Sequence, residues 1–315
     1  MTLIAILLAL LLDWTIGDPY SWPHPIKAIG SYINFFLQLK DKFLFSDYLF
    51  GALLWLSTIS LSLGLTAGLL WFSSTIHWLF YWLIWIYLAY ACLATKSLAH
   101  EARKVYEKLT TASLDEARDQ VGMIVGRQTS ELSEEEITKA TIETVAENTS
   151  DGVIGPLLCL FLGGPLLAIF YKAVNTLDSM VGYKTKKYFK IGYVSAKIDD
   201  LVNLIPARLT WLSLLVASYM LELDGVCALR IGIRDRYQHA SPNSAFPESV
   251  VAGALGIQLG GGHYYHGEFL DKPKIGDNRR KACPEDIKSC LSLLYMSTMI
   301  ALILGIIGYL ILSNL

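Results

Sequence analysis

Charge is scarce in this sequence. Only 17% of its 315 residues are Asp, Glu, Lys or Arg, where a soluble domain carries about 25% to cover its surface. Hydrophobic residues make up 53%, and the mean hydropathy is +0.43. A bilayer as solvent accounts for the deficit, because lipid-facing surface stays apolar. The formal net charge is -2, and no Lys/Arg-rich block occurs of the kind that tracks a phosphate backbone. A nucleic-acid partner is therefore not expected. Cysteine is sparse as well. Cys92, Cys159, Cys227, Cys283 and Cys290 form no CxxC pair and read as reduced, inert thiols.

Other signals are also missing. The opening MTLIAILLALLLDW has no basic leader and no small-residue cleavage site, so a retained first span is expected rather than a cleaved signal peptide. No GxxxxGK phosphate loop occurs, and GGGH at 260–263 is a weak substitute. His263 and His266 are three apart, but nothing completes a zinc set, so neither zinc nor haem is expected.

Apolar runs at 2–17, 48–72, 76–95, 204–222 and 289–312 approach the roughly 20 residues that a membrane helix requires. A sixth run, 153–171, carries Gly163-Gly164-Pro165 at its centre, where a helix bends or stops. Such a break is tolerated at membrane depth only where protein or a wet cavity covers the freed backbone. A shorter run, 249–262, also ends in glycines and is a candidate return. Of the 26 Lys and Arg residues, 25 lie in 18–47, 96–152, 171–203 and 223–288, which the positive-inside rule places in the cytoplasm. The expected fold class is all-α: a polytopic helical membrane protein with a broken or re-entrant segment. The whole chain, 1–315, reads as one integral-membrane domain, with a cytoplasmic helical insertion at 96–152 and a polar loop region at 223–288.

Within 97–147, Leu98, Ala102, Val105 and Leu109 recur at helical spacing, as do Leu114, Ala117, Val121, Ile124 and Val125. Ser133 followed by Glu136 is a capping box that starts a helix at about 134. That helix places Glu143 and Glu147 on one face and ends at Asn148 and Asp151-Gly152. This density of oxygen ligands beside an apolar run suits Mg2+, although exposed acids at a helix end would look the same.

Four further polar clusters stand out. Asp13, Asp18, His24 and Lys27 surround a Pro-punctuated turn, where a role in function competes with an interfacial helix end. In YKAVNTLDSMVGYK, residues 171–184, Lys172, Asn175 and Ser179 share a helical face with Asp178 beside it, and Lys184, Lys186 and Lys187 follow. That pattern reads as an anion site with a metal nearby, or as a lysine belt facing lipid phosphates. Asp199 and Asn203 are one turn apart. Arg208, alone in an apolar run, needs a partner, which Asp199 or Asp200 could supply. His239, Asn243 and Glu248 sit in a Pro-rich turn.

In chain order, GDPYSWPHPIKAIG, AENTSDG, GGPLLAIFYKAVNTLDSMVGYK, DD-x2-N-x2-PARLT, HASPNSAFPES and KPKIGD resemble the CbiB/CobD family, the adenosylcobinamide-phosphate synthases of cobalamin biosynthesis. The similarity runs from about Asp13 to Asp277. One departure is Gln128, which follows Ile-Val-Gly-Arg where the family often has Asp-Thr. The resemblance implies a multi-pass enzyme of the cell membrane. It would join adenosylcobyric acid to 1-aminopropan-2-yl phosphate, or a similar amino-alcohol phosphate, using Mg2+ and ATP. On that footing Glu143, Glu147, Asp151 and Asp178 would hold the metal, with Glu147, Asp151, Asp178 and His239 in catalysis. Lys172, Lys184 and Arg208 would bind phosphate, and Asn175, Asp199, Asn203 and Asn243 would orient substrate. The implied partners are the corrinoid, the amino-alcohol phosphate and membrane lipid, together with a homo-oligomer or other cobalamin-pathway enzymes. A transporter with broken helices and a non-catalytic membrane scaffold are the alternatives.

Overall fold

The structure is a computed structural model that describes residues 1–19, 21–42, 46–183, 185, 188–265, 268–270 and 272–314. The chain is an all-α polytopic membrane protein. Its described helices are α1 (Thr2–Thr15), α2 (Pro25–Gln38), α3 (Asp47–Ile76), α4 (Trp78–Tyr90), α5 (Thr95–Thr111), α6 (Leu114–Gly122), α7 (Glu134–Asn148), α8 (Gly155–Val181), α9 (Tyr193–Val202), α10 (Leu204–Met220), α11 (Gly225–Arg234), α12 (Ala245–Leu255) and α13 (Glu285–Ser313). A π-helical turn, Thr149–Ile154, separates α7 from α8.

Among the described residues, four helical stretches are long and apolar enough to cross a membrane: Asp47–Ile76, Trp78–Thr111, Glu134–Val181 and Glu285–Ser313. Helices α9 and α10 would make a fifth across a bend of 47°. The apolar run at 2–17 forms the 14-residue α1, shorter than a span needs. The run at 249–262 becomes the end of α12, which stops at Gly256 in the left-handed region (φ 65°), followed by short strands. At 11 residues, or roughly 16 Å of helix, α12 is too short to span.

The chain contacts divide it into two compact units. Unit 1 comprises Met1–Ala94, Gly155–Asn203 and Gly305–Leu315. Within it α3 packs on α4, α8 and α9, and α1 packs on α4. Ile6, Ile33, Phe50, Leu54, Ile169 and Leu177 are among its buried side chains. The break in the 153–171 run is real: Gly164 has φ 63° and ψ -158° inside α8, a conformation essentially restricted to glycine. Pro165, which has no backbone N–H, comes next.

Unit 2 comprises Thr95–Ile154 and Leu204–Leu304. Ala102 and Val105 of α5 and Ala117 and Val121 of α6 are fully buried in its core, with Leu98 and Leu109 packed against them, as the helical spacing requires. The Ser133–Glu136 capping box forms. Ser133 Oγ accepts the Glu136 N–H at 3.4 Å, and Glu136 Oε2 accepts the Ser133 N–H at 2.8 Å. Two features have no counterpart in the sequence reading. Strand β1 (Leu259–Gly260) pairs antiparallel with β4 (Lys274–Ile275), and β2 (His263–Tyr265) pairs with β3 (Glu268–Leu270).

Candidate functional site

Each unit holds its own polar cluster. In unit 1 the cluster is built on α8 and α9. Asn203, which caps the C-terminus of α9, donates from Nδ2 to Asp199 Oδ2 at 2.9 Å. Its Oδ1 accepts the Tyr171 hydroxyl. Asn175 also hydrogen-bonds to the Asp199 carboxylate, and Asp178 lies within electrostatic reach of it. The seat of Asp178 depends on Gly182, where an added Cβ would overlap Asp178 Oδ1. Lys172 lies one turn before Asn175 on α8. Asp199, held by two amides, and Asp178 nearby make a set of hard oxygen donors. That set fits Mg2+, which commonly takes one or two carboxylates beside substrate phosphate.

In unit 2 the cluster joins α7, α12 and the β1 edge. Glu143 pairs with the Arg127 guanidinium, and its Oε1 accepts the Gly260 N–H at 2.7 Å. Glu147 Oε1 accepts the Ser244 hydroxyl at 2.8 Å. Glu248 sits on α12 rather than in a turn and is 5% exposed. Burial, and then the nearby Glu147 and Glu143, push its carboxyl well above the usual range, which favours the neutral acid. Arg208 finds an amide rather than an acid. Its Nη1 donates to Asn243 Oδ1 at 2.6 Å and to the Leu204 carbonyl at 3.0 Å, and its guanidinium lies 4.0 Å over the Phe246 ring. The neighbouring turn is self-bonded, with His239 Nδ1 accepting the Ser241 N–H at 3.0 Å and Ser241 Oγ accepting the Asn243 N–H at 3.2 Å.

The predicted site residues therefore group unevenly. Asp178, Asn175, Asp199 and Asn203 converge in unit 1. Glu143, Glu147 and Asp151 belong to unit 2, with Asp151 on the π-helical turn, and Glu143 is already engaged by Arg127. Among the described residues, no group of three or more His, Cys, Asp or Glu side chains has the geometry to hold a metal ion. Lys184 lies outside the described residues, as do Lys186, Lys187 and His266. The sequence reading missed Arg127, Tyr171 and Ser244, whose partners are 16, 32 and 97 residues away, and it gave Glu248 no role.

A second carboxylate in unit 2 organises the far side of the ribbon. Asp235 accepts the Gly276 N–H at 2.8 Å and pairs with Arg234 at 2.6 Å. Burial raises the pKa of its carboxyl, but Arg234 and the Gly276 amide outweigh burial and hold it below the ordinary value. Asp277 in turn pairs with Arg230 at 2.8 Å and with Arg234 at 2.7 Å.

Comparison with known proteins matches residues 6–294 to the CobD/Cbib protein family. A cobalamin biosynthesis protein CobD from Streptococcus sanguinis is 68% identical over 313 residues, covering 99% of each chain. A protein of the same name from Listeria monocytogenes is 52% identical, covering 96% of each. The cobalamin biosynthesis protein CbiB of Salmonella typhimurium is 47% identical, again covering 96% of each. No solved structure matches the chain. Sequence motifs, helical membrane architecture and these similarities agree, and the chain belongs to the CobD/CbiB family of cobalamin biosynthesis proteins.

Proposed function

We propose that this protein is a membrane-bound amide synthetase. It joins the propionate carboxylate of adenosylcobyric acid to the amine of 1-aminopropan-2-yl phosphate, or a similar amino-alcohol phosphate, giving adenosylcobinamide phosphate. The observation that carries this reading is the convergence of Asp178, Asp199, Asn175 and Asn203 in unit 1, with Lys172 one turn before Asn175 on α8. Polar groups gathered on the helices of a membrane protein are costly unless they serve chemistry or are fully paired.

A carboxylate and an amine do not condense readily at neutral pH, because the acid is ionised and hydroxide leaves poorly. Transfer of a phosphoryl group from ATP to the carboxylate addresses both problems. The amine then forms the C–N bond, inorganic phosphate departs with the C–O electron pair, and the amine loses one proton. Mg2+, held by Asp178 and Asp199, would supply charge neutralisation on the phosphates. Asn175 and Asn203 hold the Asp199 carboxylate in place, and Lys172 binds phosphate oxygens. Within unit 2, Glu143 holds Arg127 and the ribbon edge. We place the protein in the cell membrane with its basic segments on the cytoplasmic side.

The test is incubation of purified protein in detergent with adenosylcobyric acid, Mg-ATP and amino-alcohol phosphates, with mass detection of the amide. The reading requires product from the wild type and none from Asp178→Ala. The break at Gly164 and the bend between α9 and α10 are also features of transporters. Uptake of labelled substrate into proteoliposomes, without ligation in micelles, would establish that alternative instead.

A further inference from the structure

Within unit 2, α11 runs antiparallel to α10 and beside it. A Cβ added at Gly225 would overlap the Tyr219 ring near the end of α10. One added at Gly232 would come within 2.8 Å of Trp211 Nε1, which donates to the Gly232 carbonyl at 3.1 Å. Arg230 lies between those two contacts, level with the middle of α10. It pairs with Asp277 at 2.8 Å, as Arg234 does at 2.7 Å, and the three side chains are 55, 34 and 50% exposed in that order. Were α10 a crossing helix, these exposed ions would lie at hydrocarbon depth. Charges at that depth are costly and almost always face protein or a wet cavity.

The same two helices nevertheless expose apolar rows. Ile205, Leu212 and Val216 recur along one face of α10, and Val226, Leu229 and Ile233 along one face of α11, at helical spacing. Val226 is 71% exposed. On the other face of α11, Cys227, Ala228 and Ile231 are buried. Antiparallel pairing turns both rows to the same side, so they form one apolar layer two helices wide, with Arg230 and Arg234 along its outer edge. A helix facing water would show polar side chains there. An apolar layer edged by cations is the pattern of an element bound in the membrane–water boundary. At 10 residues, about 15 Å, α11 is too short to cross.

One end of the layer carries two further guanidiniums. Arg208 lies 4.0 Å over the Phe246 ring, Tyr237 meets that ring edge-on at 5.5 Å, and Arg236 lies 4.9 Å over Tyr237. The hydrogen-bond partners of Arg208 are the Leu204 carbonyl and the Asn243 amide oxygen, and that of Arg236 is the Ile233 carbonyl. Among the described residues neither is paired with a carboxylate, whereas Arg230 and Arg234 are. Guanidiniums match phosphate geometry, and tyrosine favours the headgroup level.

We infer that α10 and α11 form a hairpin that lies flat in the membrane–water boundary instead of crossing it. The apolar rows sit among acyl chains, and Arg208 and Arg236 meet phospholipid phosphates. A second copy of the chain would bring the same two cations to this face, whereas a phospholipid brings the anion.

The test uses the full-length protein in vesicles of phosphatidylcholine and phosphatidylglycerol. Ile205→Cys, Met220→Cys, Val226→Cys and Ile233→Cys are made singly in a Cys283→Ser background, the other cysteines being buried. Each is labelled with a small environment-sensitive fluorophore, and only variants that stay monodisperse and keep the parent thermal midpoint are compared. Depth is read from quenching by nitroxides placed high or low on the lipid chain. Ile205 and Met220 are 15 positions apart, roughly 22 Å of helix. A flat hairpin puts all four labels at one shallow depth, quenched about twofold or more better by the high nitroxide than by the low one. Arg236→Glu is expected to cut quenching at Ile233→Cys about twofold or more by repelling anionic headgroups, and Arg236→Lys to preserve it.

Labels at 205 and 220 that differ in depth by about 20 Å, or that lie in opposite leaflets, would overturn the inference and make α10 a crossing helix. Labels quenched by aqueous iodide and by neither nitroxide would overturn it by showing a water-facing layer. Blue-shifted labels that no quencher reaches would do so by showing a protein cover, a second copy included. Unchanged quenching in Arg236→Glu would overturn the phosphate contact.

Discussion

Arg208 Nη1 donates to Asn243 Oδ1 at 2.6 Å, so a cation inside an apolar helix is held by an amide from 35 residues downstream. A carboxylate would neutralise the charge. The amide satisfies a donor and leaves the guanidinium positive and stacked on Phe246. Replacing Asn243 by Ala should destabilise the protein by about 0.5–1.5 kcal/mol, the usual net contribution of one hydrogen bond, because Arg208 is half-buried and keeps the Leu204 carbonyl. Asn243→Asp, which keeps an acceptor, should lose less. Thermal midpoints of both variants in detergent check the order, and equal losses would mean that the contact contributes nothing.

Gly182 makes room for Asp178. Adding a methyl group by Gly182→Ala pushes against Asp178 Oδ1 and should reduce amide formation about 10- to 100-fold, as ångström-scale misplacement of a functional group does. Gly68→Ala on α3, where the new Cβ meets nothing within 4 Å, should leave the rate at the wild-type level. A Gly182→Ala enzyme with full turnover would remove Asp178 from the mechanism.

Acid should loosen the protein partly through Asp235. Its folded-state pKa lies below its unfolded one, so the stability it contributes is fully present above the unfolded value, about 3.9. That contribution is lost as pH falls through the depressed folded value. The thermal midpoint of the wild type should therefore drop below about pH 4, and that of Asp235→Asn should drop less steeply. Parallel curves would show that the Arg234 and Gly276 contacts carry no linkage.

Thiol chemistry offers a check on the burial pattern. Cys92, Cys159, Cys227 and Cys290 are buried, and Cys283 is partly exposed. Burial, and then Asp286, raise the Cys283 thiol above its ordinary value, which slows its reaction near neutral pH. Native protein treated with a maleimide should label at Cys283 alone, faster as pH rises, and Cys283→Ser should label negligibly. Rapid modification of any other cysteine, located by peptide mass, would contradict the packing.

The features legible in the sequence were those with local causes. The Ser133–Glu136 cap spans three residues, and its hydrogen bonds need nothing from elsewhere in the chain. Gly163-Gly164-Pro165 breaks α8 because no neighbour can supply the missing N–H or make a positive φ favourable for another residue. The pairing of Asp199 with Asn203 follows from one helical turn. Partners set by tertiary packing were not legible. Arg127 reaches Glu143 across a loop, Ser244 reaches Glu147 from another helix, and Asn243 takes the place expected of Asp199 or Asp200 beside Arg208. The strands were missed for a different reason: runs of two or three residues among glycines carry too little alternation to register as β-structure.

The β1–β4 ribbon is pinned from outside its own ladder. Glu143 takes the Gly260 N–H on one strand, and Asp235 takes the Gly276 N–H just past the other. Each strand of this ribbon is thus tied by a carboxylate from a helical part of unit 2, so cutting one tie should release one strand end and leave the other tethered.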